Sequence, residues 1–205
     1  MILNGMGFHA FNEYDLRSTI ESQIAHTKSD VEDDIKSQQS KDESSYILEK
    51  IEKHKIGPIE LLEDKLTVTS KEEMIPAKYF PQDFFVESGE SYPKQVLRFH
   101  LPFKGDANLL RCIPSSRVMW TEEIEVENNE IIFELINFNN SAEAIAKSRD
   151  AVIDFLKKQS ANVNNQIREY DENLEKLIRE TITATKEKID KNSDFLKELG
   201  TPIKE

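Results

Sequence analysis

Apolar residues recur at steps of three and four near both ends of this chain and at every second position in its middle. Leu16, Ile20, Ile24, Val31 and Ile35 form a narrow apolar stripe, which predicts a helix starting near Asn12 or Glu13. Asp30, Glu32, Asp33 and Asp34 surround that stripe as a solvated face. The polar run from Lys36 to Ser45 interrupts the pattern, and a second helix over about Ser45 to Lys55 carries Ile47, Leu48 and Ile51 until Gly57-Pro58 stops it. In the centre, Leu66 to Thr69 reads as a short strand. Lys94 to Phe103 reads as a half-buried one, with Leu97, Phe99, Leu101 and Phe103 on one side and Arg98 and His100 on the other. Two more strands, Glu123 to Glu127 and Glu130 to Asn137, flank Asn128-Asn129, a pair able to accept the positive φ of a two-residue hairpin turn.

The last third returns to helical spacing. Asn140 with Glu143 has the form of a capping box, and Ile145, Val152 and Leu156 continue the stripe. Val163, Ile167, Tyr170, Leu174, Leu177, Thr181 and Ala184 then follow in alternating steps of four and three, a heptad-like seam. A single helix from Asn140 to Asp190 would be about 75 Å long, more than a compact domain usually spans. A helical hairpin with a break near Tyr170 to Asn173 is therefore expected, ended by Gly200 and Pro202.

Glycine and proline agree with this division. Neither occurs from Phe8 to Ile56 or from Ser115 to Leu199, while six of the seven prolines lie between Pro58 and Pro114. The fold class is α+β: a small antiparallel β-sandwich or open barrel, flanked by an N-terminal helical segment and a C-terminal helical hairpin. The expected units are 1–57, 58–139 and 140–205.

Composition narrows the function classes. Eleven phenylalanines argue against global disorder. A net charge of −12 disfavours bulk nucleic acid, whose phosphates attract clustered Lys and Arg. No apolar run approaches the roughly 20 residues of a membrane span, and no basic stretch precedes the apolar residues at the start, as a secretory signal would require. A single cysteine, Cys112, allows no intrachain disulfide. These features together predict a cytoplasmic protein.

Candidate chemistry is sparse. His26 and Asp30 share a helical face, but no third ligand stands near them, so no metal site is assigned. Glu63-Asp64-Lys65 has the form of half a metal-dependent nuclease site without its acidic partner. No cofactor motif and no catalytic set emerge, and the chain is read as a non-enzyme. The most distinctive stretch runs from Leu101 to Ser116, where an apolar strand enters a Lys-Gly-Asp turn. A rigid loop at the sheet edge is the plainer reading. The functional one is contact with a ligand or partner through Lys104, Asp106, Asn108 and Arg111. Val163, Ile167, Tyr170, Leu174 and Leu177 are the candidate helical interface, whether with the chain's own helices or with a second copy.

That stretch, the opening Phe8-His9-Ala10-Phe11-Asn12-Glu13-Tyr14 and the closing Phe195-Leu196-Lys197-Glu198-Leu199-Gly200-Thr201-Pro202-Ile203 resemble the N-terminal region of certain bacterial multidomain defence-type proteins. In these, a β-core and a helical segment ending in a Leu-Gly-x-Pro-like phrase precede an effector such as a restriction-type nuclease domain. The resemblance implies a sensing, regulatory or assembly module that couples recognition of a protein partner or ligand to an effector, in the same chain or another. It departs from the pattern at Glu205, where an effector would begin, so the sequence is either a piece of a longer protein or a stand-alone regulator. The alternatives are a structural oligomerisation subunit, with a homo-oligomer as one form of it, and an unrecognised metal-dependent nuclease.

Overall fold

A computed structural model describes residues 7–37, 42–118 and 120–198. The Leu-Gly-Thr-Pro phrase and the expected helix stop at Gly200 and Pro202 lie outside them. The chain forms two compact units, each discontinuous in sequence: one takes the residues through Leu16 and again Gly57–Asn164, the other Arg17–Ile56 and the residues from Asn165 on. The division therefore differs from the three consecutive segments expected, because the N-terminal helices pack with the late part of the C-terminal helix.

The first unit is built on an antiparallel sheet curved like half a barrel, the open-barrel form of the expected fold. Its strands are β1 (Phe8–His9), β3 (Glu60–Leu61), β4 (Thr67–Pro76), β5 (Ser91–Lys104), β7 (Glu123–Glu127) and β8 (Glu130–Ile136). They lie in the order β1-β7-β8-β5-β3, with β4 also on β5, and two short strands, β2 (Tyr14–Asp15) and β6 (Cys112–Ile113), form a separate parallel pair. The alternation in β5 sends Phe99, Leu101 and Phe103 into the core, where Phe99 stacks on Phe133 of β8 with ring centres 5.1 Å apart. The β7–β8 hairpin turns at Asn128 and Asn129 with φ of 49° and 62°, as the Asn pair predicts. β4 is the largest surprise: it continues past Thr69 to Pro76 and pairs with β5 along its whole length.

Loop closure in this unit depends on one glycine. Gly105 has φ +105°, and a Cβ there would stand 2.2 Å from the Pro58 carbonyl oxygen. Gly105→Ala is expected to lower stability by about 2–3 kcal/mol, combining backbone strain with a clash against main chain. Gly89, at φ +91° with nothing within 4 Å, supplies the contrast. Gly89→Ala should cost only the strain, about 1 kcal/mol. Urea unfolding of the two variants separates the terms.

The second unit is a three-helix arrangement of α1 (Leu16–Lys36), α2 (Glu43–His54) and the part of α3 (Ala142–Glu198) from Asn165 on. Asp42 caps α2 by accepting the Ser45 N–H at 2.9 Å. The core holds Val31, Tyr46, Ile47, Tyr170, Leu174, Ile178 and Ile182, with Ile20, Ile24, Ile51 and Leu177 packed against it.

The expected helical hairpin is absent: α3 is one continuous helix. A single domain rarely holds so long a helix, but α3 contributes 142–164 to one unit and 165–198 to the other. The polar residues that suggested a break instead hold α3 to the chain. Tyr170 donates its hydroxyl to the His54 carbonyl at 3.1 Å, and Asp171 accepts the Ile56 N–H at 3.1 Å. Six residues earlier, Asn164 both accepts from and donates to the backbone of Ile59, at 2.9 and 2.8 Å. The N-cap also shifts by one: Ser141 accepts the Ala144 N–H at 3.2 Å, and Asn140 takes φ +51°.

Candidate functional site

The strand added beyond the sequence expectation is also the most available surface. β4 is bonded to β5 on one side and, among the described residues, to no strand on the other. Its hydrogen-bond phase follows from the Ala77 N–H, which donates to the Glu90 carbonyl at 2.8 Å, one step beyond the Pro76–Ser91 pair. Alternation along an antiparallel pair then directs the backbone groups of Thr67, Thr69, Lys71, Glu73 and Ile75 toward β5. Those of Val68, Ser70, Glu72 and Met74 point outward. Residues 67–72 and Met74 are exposed, with Met74 at 61% and Val68 at 51%. An uncovered edge of this length is a template for another strand. Periodicity could not reveal it: over residues 67–72 both faces are in water, so that part of β4 has no apolar alternation to read.

The neighbouring face of the sheet carries a closed ionic network. Arg98 reaches Glu125 at 2.6 Å and Glu134, whose side chain is fully buried, at 3.2 Å. Burial opposes the charge on Arg98, but these two hydrogen bonds outweigh it and raise its pKa. His100 lies 3.1 Å from Glu130 and 3.5 Å from the Thr69 hydroxyl. The register sets Thr69, Arg98 and Glu134 side by side on β4, β5 and β8.

The four loop residues singled out from sequence do not converge. Lys104 pairs with Glu60 at 3.3 Å on the surface. Asp106 accepts the Asn108 N–H at 2.9 Å, capping the short helical turn 107–111. Arg111 pairs with Glu13 at 2.6 Å and sits over the Phe8 ring, its guanidinium carbon 3.8 Å from the ring centre. The loop brings only Asp106 and Asn108 together, and it holds the N-terminal segment in place. The helical seam is filled from within the chain: Val163, Ile167, Tyr170 and Leu174 are buried, and Leu177 is half-buried against the second unit's core.

Asp30, read as a solvated helix residue, is instead the centre of an ion cluster in the second unit. It accepts from Lys50, from Lys53 at 2.8 Å and lies 2.8 Å from His54 Nε2. Lys50 also reaches Asp34 at 2.7 Å, and Tyr46 donates to Asp34 at 3.3 Å. Burial works against ionised Asp30, but the hydrogen bonds from Lys50, Lys53 and His54 hold its carboxyl well below the usual carboxylate range. Burial also works against charged Lys50, and its bonds to Asp30 and Asp34 carry it above the usual lysine value. Burial pushes the Tyr46 phenol up to about 12 against the opposing charge of Lys50. His26 stacks edge-on against His54 at 5.5 Å and does not join Asp30 as a ligand pair.

Glu63, Asp64 and Lys65 form a short helical turn, where Glu63 pairs with Lys157 at 3.0 Å. Among the described residues, no three His, Cys, Asp or Glu side chains gather as a metal site, and no helix is long and apolar enough to cross a membrane. No family model matches the chain, and no curated protein or solved structure gives a significant match. The fold itself defines the class: an α+β protein with a half-barrel sheet and a long C-terminal helix.

Proposed function

We propose that this chain is a non-catalytic recognition and assembly module that takes an extended segment of a partner protein as an added strand on β4. The observation that carries this reading is the row of outward N–H and C=O groups at Val68, Ser70, Glu72 and Met74 on an exposed edge. Strand addition draws its affinity from main-chain bonds and its selectivity from alternate side chains. Lys71 favours an acidic side chain opposite it, Glu72 a basic one, and the exposed Val68 and Met74 favour apolar contacts. Relay of this event to a defence-type effector rests on the resemblance of the terminal phrases and the central loop alone.

The hydrogen-bond phase supplies a clean test. Proline at positions 70 and 72 removes two outward N–H groups without touching a bond to β5. Extended peptides selected from a display library on the wild-type chain are expected to lose at least tenfold in affinity for the Ser70→Pro/Glu72→Pro variant, the equivalent of about 1.4 kcal/mol, while the thermal midpoint stays nearly unchanged. Equal binding to both proteins removes β4 as the site. Concentration-dependent self-association that the prolines abolish would make a second copy the occupant.

A further inference from the structure

A cavity of about 200 Å³ in the first unit, distinct from the β4 edge, is lined by Phe11, Asn12, Arg117, Val118, Trp120, Thr121 and Gln159. Its wall is fixed by the backbone. Ala10 N–H donates to Glu122 at 2.8 Å, Phe11 N–H to Leu110 at 2.6 Å, and the Thr121 hydroxyl to Ala10 at 2.7 Å. Phe11 is held at φ +56°, a conformation that a bulky side chain adopts only when its surroundings impose it. Its buried ring meets Phe155 edge-on at 6.1 Å, and Trp120 covers the same Phe155 at 5.7 Å while remaining 49% exposed.

The polar lining has donors to spare. Gln159 is 2% exposed; its carbonyl oxygen accepts from Asn162 at 3.3 Å, and its amide nitrogen has no acceptor among the described residues. The Arg117 guanidinium, the Trp120 indole N–H and the Asn12 side chain likewise have no hydrogen-bond or ion partner among them. Arg117 thus differs from Arg98 and Arg111, both in this unit, which each hold a carboxylate. Guanidinium and indole groups only donate, so this set calls for an acceptor.

We propose that this cavity binds a small flat carboxylic acid. Arg117 takes the carboxylate in its planar fork, the Gln159 and Asn12 amides and the indole N–H supply further donors, and Phe11, Val118 and Trp120 hold the apolar body. The volume lies below the roughly 300–1,000 Å³ of sites for drug-sized ligands, which restricts the acid to about one ring.

The chain has one tryptophan, so a ¹⁵N–¹H spectrum holds a single indole cross-peak that reports on the cavity directly. Benzoate is expected to shift that peak saturably at millimolar concentration. Benzamide, with the same shape and no charge, should bind roughly tenfold more weakly, the loss of one charge-assisted hydrogen bond. Arg117→Gln should abolish the benzoate response and leave the amide spectrum folded, because Arg117 is exposed. No saturable shift with benzoate at about 10 mM, equal binding of benzamide, or unchanged benzoate binding by Arg117→Gln overturns the assignment.

Discussion

Asp30→Ala is expected to destabilise the second unit by about 3 kcal/mol, because it removes the carboxylate shared by Lys50, Lys53 and His54. The Lys50 side chain is 4% exposed and His54 1%. With Asp30 gone, Lys50 keeps only Asp34, and Lys53 and His54 lose the carboxylate they share. The same geometry fixes the sign of the pH dependence. A carboxyl whose folded pKa is depressed contributes its full stability above its unfolded value, near 3.9, and loses it as pH falls from there toward the folded value. A lysine raised on folding contributes fully below its unfolded value, near 10.4, and loses that contribution as pH rises beyond it. Urea unfolding should therefore show the penalty of Asp30→Ala undiminished between about pH 5 and 9 and shrinking on the acid side. A penalty below about 1 kcal/mol at neutral pH would class the cluster with exposed ion pairs. So would a penalty that does not shrink in acid.

How much of this was legible in the chain depended on whether a position had one apolar side. β5 and the β7–β8 hairpin were, since Phe99, Leu101 and Phe103 are buried while Arg98 and His100 between them are only half-buried, and Asn128-Asn129 carry their turn chemistry locally. α1, α2 and the seam were legible for the same reason. β4 was not, because Val68, Ser70 and Glu72 are as wet as Thr69 and Lys71, and only pairing with β5 makes them a strand. The unit boundaries were hidden too: α3 has no glycine or proline at Asn164, and what divides it is which partners its successive turns meet. The candidate site suffered most. Lys104, Asp106, Asn108 and Arg111 are close in sequence but face different neighbours, whereas Phe11, Arg117, Trp120 and Gln159 meet across nearly 150 residues. The Asp30 cluster joins α1 to α2 through pairs 20 to 24 residues apart, with no spacing rule to announce it.

Leu174→Glu should have the largest effect, roughly 5 kcal/mol, enough to unfold the second unit. Leu174 is 1% exposed among Val31, Tyr46, Ile47 and Ile178, so the substitution removes apolar contacts and leaves a carboxylate with no water. Its seam neighbour behaves differently. Leu177 is half-buried at a groove of about 310 Å³ whose charged lining is Lys28, Glu32, Lys36, Glu180 and Lys188, where a glutamate can turn toward solvent. Leu177→Glu should cost only about 1 kcal/mol, the loss of part of one leucine's burial. Circular dichroism and light scattering on the two single variants decide what the seam is for. An internal seam predicts lost helicity and melting for Leu174→Glu and a near-native Leu177→Glu, with no change of mass at equal concentration. A seam between two copies predicts instead that both variants keep their helicity and that an oligomeric parent falls to monomer in each. That result would contradict the packing of Leu174 against α1 and α2.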